Sequence, residues 1–410
     1  MVNDSRRRAL MAGGAALAGW GLAAPRAWGH EREHEHEHAS HGGMHHPRVQ
    51  LGCSAAFAPD GSLWLVGLDA QQRLFVQTAP AQALSRWSAP RSIPTGNDAV
   101  SADGENRPKI AFGPNAELVV TYTEPLARPY TGRIRMLRSS DGGRSVSPPF
   151  TVHADRQVIT HRFESVGFDA HGTLHTLWVD KRDAEAHRAA GRAYRGAAIY
   201  RNESHDGGRT FGPDIKLADH SCECCRIALA PTPDGGMAAL WRHVFAPNER
   251  DHAFAILGKL RPGDEPVRAT FDHWAIDACP HHGPGLAAAA GGGYHAVWFG
   301  ERAGEARVRC ARLDAAGAPR GDVVVLPDEH AEHADVASAG DKLAIVWRSF
   351  DGQATAWRAW LSSDDGQHFS LEELGRTSED NDHPLLARQG RHIVALWRTT
   401  QGVRVETLFS

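Results

Sequence analysis

Beyond its first two dozen residues the chain has no apolar run long enough to cross a bilayer, which excludes a membrane span in the mature protein. No stretch holds apolar residues at the 3.6-residue spacing of an amphipathic helix, so a helical bundle is excluded too. Charge of one sign is also missing. The 45 Lys and Arg stand against 49 Asp and Glu, a net charge of −4, and nothing marks a nucleic-acid-binding surface. Tyrosine is scarce, with 5 copies against 12 tryptophans, whereas glycine (42) and proline (23) are plentiful. Such a composition suits a chain of short strands and many turns.

What is present is a repeat. Hairpins begin at Cys53, Arg107, His161, Cys224, His281, His333 and His383. Each is a short run of small residues, then a Gly, Asp or Asn turn, then an apolar strand ending in text such as HTLW, AALW or HAVW. Two further strand-like runs follow each hairpin, as in RIRMLRSSDGGRSVSPPFTV from Arg133, so the unit has about four strands in roughly 50 residues. Repeated without a linker, that unit predicts an all-β chain folded as a β-propeller of seven four-stranded blades, with six as the alternative. The last unit stops after VRVETLF, so the ring is expected to close by pairing the N-terminal segment Arg48–Leu51 with the C-terminal strands.

The first residues carry an address. Ser5-Arg6-Arg7-Arg8 precedes an Ala/Gly-rich run from Met11 to Ala24, and small residues suited to cleavage lie near Gly29. This resembles a twin-arginine export signal over 1–29 and implies a periplasmic or secreted protein. Next, 30–47 hold seven histidines, four glutamates and Met44, in a tail expected to be disordered. His34, His36, His38, His41, Met44, His45 and His46 are its candidate metal ligands, because neutral imidazoles take zinc, copper or nickel. The propeller is expected over 48–410.

Ser204-His205-Asp206-Gly207-Gly208-Arg209-Thr210-Phe211 matches S-x-D-x-G-x-T-F, and degenerate copies begin at Ser139 and Ser362, each between third and fourth strands. The chain thereby resembles the sialidase-like Asp-box (BNR repeat) propellers over nearly all its mature length. In that family the box is a structural turn, with the Asp accepting backbone hydrogen bonds, a Gly in an unusual conformation and an aromatic under the blade. The resemblance implies that a sialidase would need an arginine triad, a Tyr nucleophile with a Glu, and an Asp acid/base. Here the Phe-Arg-Ile-Pro motif has no proper match: Asn106-Arg107-Pro108 lacks its aromatic and its Ile, and Tyr122 and Tyr294 sit within second strands. Arg162 and Arg226 are isolated arginines that could approach the axis, and no triad can be assigned. A glycan-binding or glycan-hydrolysing propeller therefore stays as the alternative reading, without a recognisable catalytic centre.

The cysteines point to metal. Cys222-Glu223-Cys224-Cys225 opens the fourth hairpin and Cys279-Pro280-His281-His282-Gly283-Pro284 the fifth. Consecutive blades set their first strands side by side, so both segments should meet at one rim of the channel. They resemble a subgroup of exported sialidase-like propellers carrying C-x-C-C and C-P-x-x-G-P. One reading is disulfides, most simply Cys279 with one of the earlier group, although adjacent cysteines such as Cys224 and Cys225 rarely bond to each other. The other is a soft-metal site of Cys222, Cys224, Cys225, Cys279, His281 and His282, with copper expected and zinc the alternative. Cys53, His161, His333 and His383 are weaker candidates at equivalent starts, with Glu164, Glu332 and Asp382 as partners for the imidazoles, whereas Cys310 lies in a third strand as a core residue. The function expected is metal sequestration, acquisition or delivery, with a periplasmic metal-transport protein or metalloprotein as partner.

Overall fold

Alternating side chains fix the strands. In 134–137, Ile134 and Met136 are buried while Arg135 reaches toward solvent, and the second strands, such as Leu174–Asp180, are buried along their whole length. In the computed structural model, which describes residues 50–102, 104–261 and 263–410, these strands form seven antiparallel sheets. The blades span 53–92, 109–151, 161–221, 228–268, 285–325, 331–377 and 385–409, in chain order. Within each, hydrogen bonding follows sequence order from an inner strand outward. The seven inner strands, Cys53–Phe57, Lys109–Phe112, His161–Phe168, Ala228–Pro231, Gly285–Ala288, Ala331–Ala339 and Leu385–Gln389, each lie against the next, and the last lies against the first. The chain is the expected seven-bladed propeller.

Tryptophans at the ends of second strands wedge the blades apart. Trp178, Trp241, Trp298, Trp347 and Trp397 are all buried, and the indole N–H of Trp178, Trp298 and Trp347 donates to Asp180, Asp272 and Asp328. Apolar clusters fill the gaps between successive blades. One joins Val66 and Leu68 of the first blade to Val120 and Leu137 of the second, and the last joins Leu396 and Val394 to Leu63, Leu65 and Cys53. Closure is therefore a packed interface. The seventh sheet has three strands among the described residues, Gln50 to Gly52 form no strand, and Arg48 and Val49 lie outside those residues. Side chains reinforce the joint: Arg398 donates to the carbonyls of Leu51 and Leu68, and Gln389 to that of Ala58.

The Asp boxes are turns, as expected. Asp206 accepts from the Thr210 N–H at 2.8 Å and its hydroxyl at 2.6 Å, while Ser204 accepts from the Gly208 N–H at 2.9 Å. The same bonds recur at Asp141 with Ser145, and at Asp364 the His368 N–H and ring Nδ1 take the places of the Thr210 N–H and hydroxyl. Gly208 has φ of 80°, in the left-handed region open to glycine. Phe369 stacks on Trp360 at 4.8 Å. Among the described residues one helix, Arg182–Ala189, escapes the all-β expectation; it buries no residue and joins the second and third strands of the third blade. The export signal and the His-rich tail lie outside the described residues.

Three blades share one buried ion pair. Asp382 accepts from Arg107 Nη1 at 2.8 Å and from the Cys53 N–H at 3.1 Å, and both charged side chains are about 5% exposed. Removing one partner strands the other charge, so Asp382→Ala should lower unfolding stability by about 3–5 kcal/mol in denaturant titration. Asp206→Ala, at an exposed box, should cost only about 1 kcal/mol. Equal effects of the two substitutions would show that the ring is not locked at this pair.

Candidate metal centre at the channel mouth

The residues just before or at the start of the inner strands converge on one mouth. Its densest sector lies where the third and fourth blades meet. Cys222 Sγ is 3.7 Å from Cys224 Sγ and 3.6 Å from Cys225 Sγ, all three are buried, and no cysteine of the chain is in a disulfide. Cys279 stands at the solvent edge of this sector, outside the trio of sulfurs that lie within 4.8 Å of one another. Bonds from Cys224, Cys225 and Cys279, helped by Arg250 at 3.5 Å, hold the Cys222 thiol well below its ordinary value as a thiolate. The same contacts push Cys224 up, burial pushes Cys225 up, and Cys279 rises to about 12 by donating to Cys222. Within the trio, Cys222 is the sulfur that gives up its proton most readily, and Cys224 and Cys225 hold theirs. A cation would release those protons and take their place.

The spacing suits such a cation. Metal–sulfur bonds of about 2.3 Å in a tetrahedron place the sulfurs about 3.8 Å apart, close to the separations here, whereas a disulfide needs about 2.05 Å. Gly283 lets the fifth-blade loop reach this position, because a Cβ there would fall 2.2 Å from Arg226 Cγ. His281 bends the same loop through a φ of 53°, and the His282 carbonyl is held by Arg242 at 2.9 Å.

The second sector is made of nitrogen and oxygen. The rings of His282, His333 and His383 stack in file, 4.2 Å and 3.4 Å between centroids. His333 stands on a bulge, where it and Ala334 oppose the single residue Trp347, with φ of 51°. Glu105 lies beneath the stack, bonded to His333 Nδ1 at 3.1 Å and to Arg226 Nη1 at 3.2 Å. Although burial opposes its charge, Arg226 and His333 keep its carboxyl well below the usual range. Burial lowers the pKa of all three stacked histidines, which leaves them neutral at pH 7.

Other expected ligands are not brought here. His161 is buried against the second blade, stacked on His153 at 4.0 Å, with Nδ1 on the Gly132 carbonyl and Nε2 3.3 Å from Asp155. Cys53 donates to Asp382 at 3.4 Å, and burial raises its pKa, so it is held as a thiol apart from the cluster. His281 is exposed, and Cys310 is in the core between the fifth and sixth blades, as expected. Of the expected imidazole partners, Glu332 bonds Arg348 at 2.8 Å and lies 3.8 Å from His333, Asp382 reaches His383 only through Arg107, and Glu164 bonds Thr123 instead. Glu105 and Arg250 were missed. The signal for Glu105 was present, since acidic residues also stand at the starts of the sixth and seventh blades, at Glu332 and Asp382.

A carboxylate-binding arginine triad with a tyrosine nucleophile is not assembled. Arg107, Arg226 and Arg348 are paired with Asp382, Glu105 and Glu332. Tyr122, Tyr194 and Tyr200 donate to Asp98, Asp219 and Asp183, Tyr294 is buried against Phe254, and Tyr130 is exposed.

No protein-family model and no curated protein matches the chain. Among solved structures it is similar to a polysaccharide lyase of family PL25, an ulvan lyase bound to GlcA(1-4)Rha3S, with a TM-score of 0.55 and 11% identity over 86% of this chain and 91% of that one. Polysaccharide lyase Uly1 gives 0.53 and 8% identity over 87% and 90%. A Hadza microbial sialidase gives 0.47 and 14% over 83% and 74%. At these identities the likeness is one of fold, and the chemistry must be read from the residues.

Buried histidines elsewhere set a pH response. Burial pushes His153 down to about 2 and His243 down to about 3. The unfolded chain therefore binds more protons, and the contribution of these rings, full above the unfolded value of about 6.5, is lost as pH falls below it. Each group should cost about 1.4 kcal/mol by pH 5.5, so Tm should fall between about pH 7.5 and 5.5. His243→Gln should flatten that slope; a slope unchanged by the substitution would contradict the assignment.

Proposed function

We propose that this protein is an exported metal-binding propeller whose Cys222, Cys224, Cys225 and Cys279 cluster holds a soft ion, copper(I) first and zinc as the competitor. The observation that carries the reading is the set of sulfur separations, 3.6 and 3.7 Å around a thiolate. Thiolates select copper(I) and zinc over hard cations. Sequestration, acquisition or delivery fits a site whose ligands are buried on three sides, with Cys279 at the solvent edge as the entry ligand. The tail of 30–47 would capture the ion and pass it to the cluster, for delivery to a metal-transport protein or metalloprotein in the periplasm.

A second reading is favoured by the likeness to the family PL25 ulvan lyase and to polysaccharide lyase Uly1, whose TM-scores of 0.55 and 0.53 extend over nearly the whole propeller. In it the mouth binds an anionic glycan, with Arg107, Arg226 and Arg348 changing partner from carboxylate side chains to the ligand. The paired state of all three arginines weighs against it. Replacing the four cysteines by serine in the full chain should weaken copper(I) or zinc binding, measured against a competing chelator, by more than about 100-fold. Unchanged metal affinity, together with depolymerisation or retention of a uronic-acid polysaccharide, would replace the metal reading with the glycan one.

A further inference from the structure

We propose that the mouth carries a second and chemically different metal centre, in which Glu105, His333 and His383, with His282 beside them, bind a borderline divalent cation such as zinc or copper(II). It shares no ligand with the thiol cluster and stands or falls separately from it. Glu105 Oε1 lies 3.1 Å from His333 Nδ1 and 3.6 Å from His383 Nδ1. Metal bonds of about 2.0–2.1 Å to nitrogen and oxygen give a tetrahedral edge of about 3.3–3.4 Å, between those two distances, and binding would tilt the stacked His333 and His383 rings apart so that both Nδ1 lone pairs meet the ion. The three ligand atoms come from the segments that lead into the second and seventh blades and from the sixth blade itself, so a bound ion would tie together residues far apart in the chain.

The protonation pattern also calls for a cation. Arg107 Nη2 approaches His383 Nδ1 at 2.8 Å, and a guanidinium only donates, so Nδ1 of His383 carries a lone pair. That lone pair is taken by the guanidinium, and Glu105 Oε1 lies 3.6 Å from the same nitrogen, which has no proton to offer it. Guanidinium groups meet the resulting demand for positive charge: Arg107 at His383 and Arg226 at Glu105. Both have other anchors. Arg107 keeps Asp382 and the Cys53 carbonyl, and Arg226 keeps the carbonyls of Pro284 and Ala334. An arriving ion can therefore replace the two guanidinium contacts without stranding either arginine.

Two further features are costly without a ligand. His333 is held at a φ of 51° on a bulge, a conformation that β-strand residues avoid and that turns its ring into the file. His282 Nδ1 is buried without a hydrogen-bond partner while its ring stacks on His333 and on Phe299. Binding would remove the proton from His333 Nδ1 to solvent and leave its bond to the metal in place of the bond to Glu105, while His383 binds through the lone pair it already has.

The test uses the full chain with Cys222, Cys224, Cys225 and Cys279 replaced by serine, titrated with zinc, beside the same protein further carrying His333→Ala and His383→Ala. The tail is common to both, so its contribution cancels. The parent should bind one equivalent more than the His variant, and Glu105→Gln should weaken that equivalent by about 10-fold or more. Ring 15N spectra of the unmutated chain at saturating zinc guard against misfolding of the variants: the Nδ1 signals of His333 and His383 should move to the position of metal-bound nitrogen. Equal stoichiometry in the two proteins, or unmoved Nδ1 signals, would overturn the proposal. Loss of the thiol site alone would leave it standing.

Discussion

Everything at the mouth depends on closing seven sheets into a ring by packing their faces. Because each inner strand lies against the next and the seventh against the first, the residues that begin those strands are forced together although hundreds of positions separate them in the chain. Cys53 and Asp382, 329 residues apart, share a hydrogen bond for this reason. The apolar clusters between blades and the buried tryptophans supply the driving force, and side chains such as Arg398 and Gln389 complete the seam where no strand pair does. Once the ring is closed, polar groups at its mouth cannot retreat to water, so they must satisfy one another.

That pressure explains the composition of the mouth. Glu105, Glu332 and Asp382 balance Arg226, Arg348 and Arg107, while the histidines remain neutral and the thiols share protons around Cys222. The result is two donor sets side by side, one of sulfur and one of nitrogen and oxygen. Softness separates them, since thiolates prefer copper(I) and zinc whereas imidazole with carboxylate accepts harder divalent ions.

The fold was legible because its signals are local. Apolar hairpins, turn glycines and the Asp boxes at Asp141, Asp206 and Asp364 each declare themselves within a few residues, and the blade count follows from repeating them. The thiol cluster was legible because four cysteines stand at two adjacent repeat starts. Position in the repeat did not suffice for the rest. His161 and His333 occupy equivalent places, yet His333 lies within its bulge and is turned to the axis, whereas His161 precedes the bulge at Phe163 and Glu164 and faces the neighbouring blade. Glu105 and Arg250 escaped because their roles exist only after blades converge. The helix at Arg182–Ala189 escaped because it is amphipathic against nothing: no residue of it is buried.

The central claim is that the four sulfurs surround a metal ion and do not bond to one another. Anomalous diffraction at the copper or zinc edge, from crystals of the metal-loaded full chain, tests it most directly. The account predicts one strong peak about 2.3 Å from the Sγ atoms of Cys222, Cys224 and Cys225, with Cys279 completing the set. Continuous sulfur–sulfur density at about 2.05 Å between any two of them, with no peak beside it, would contradict it.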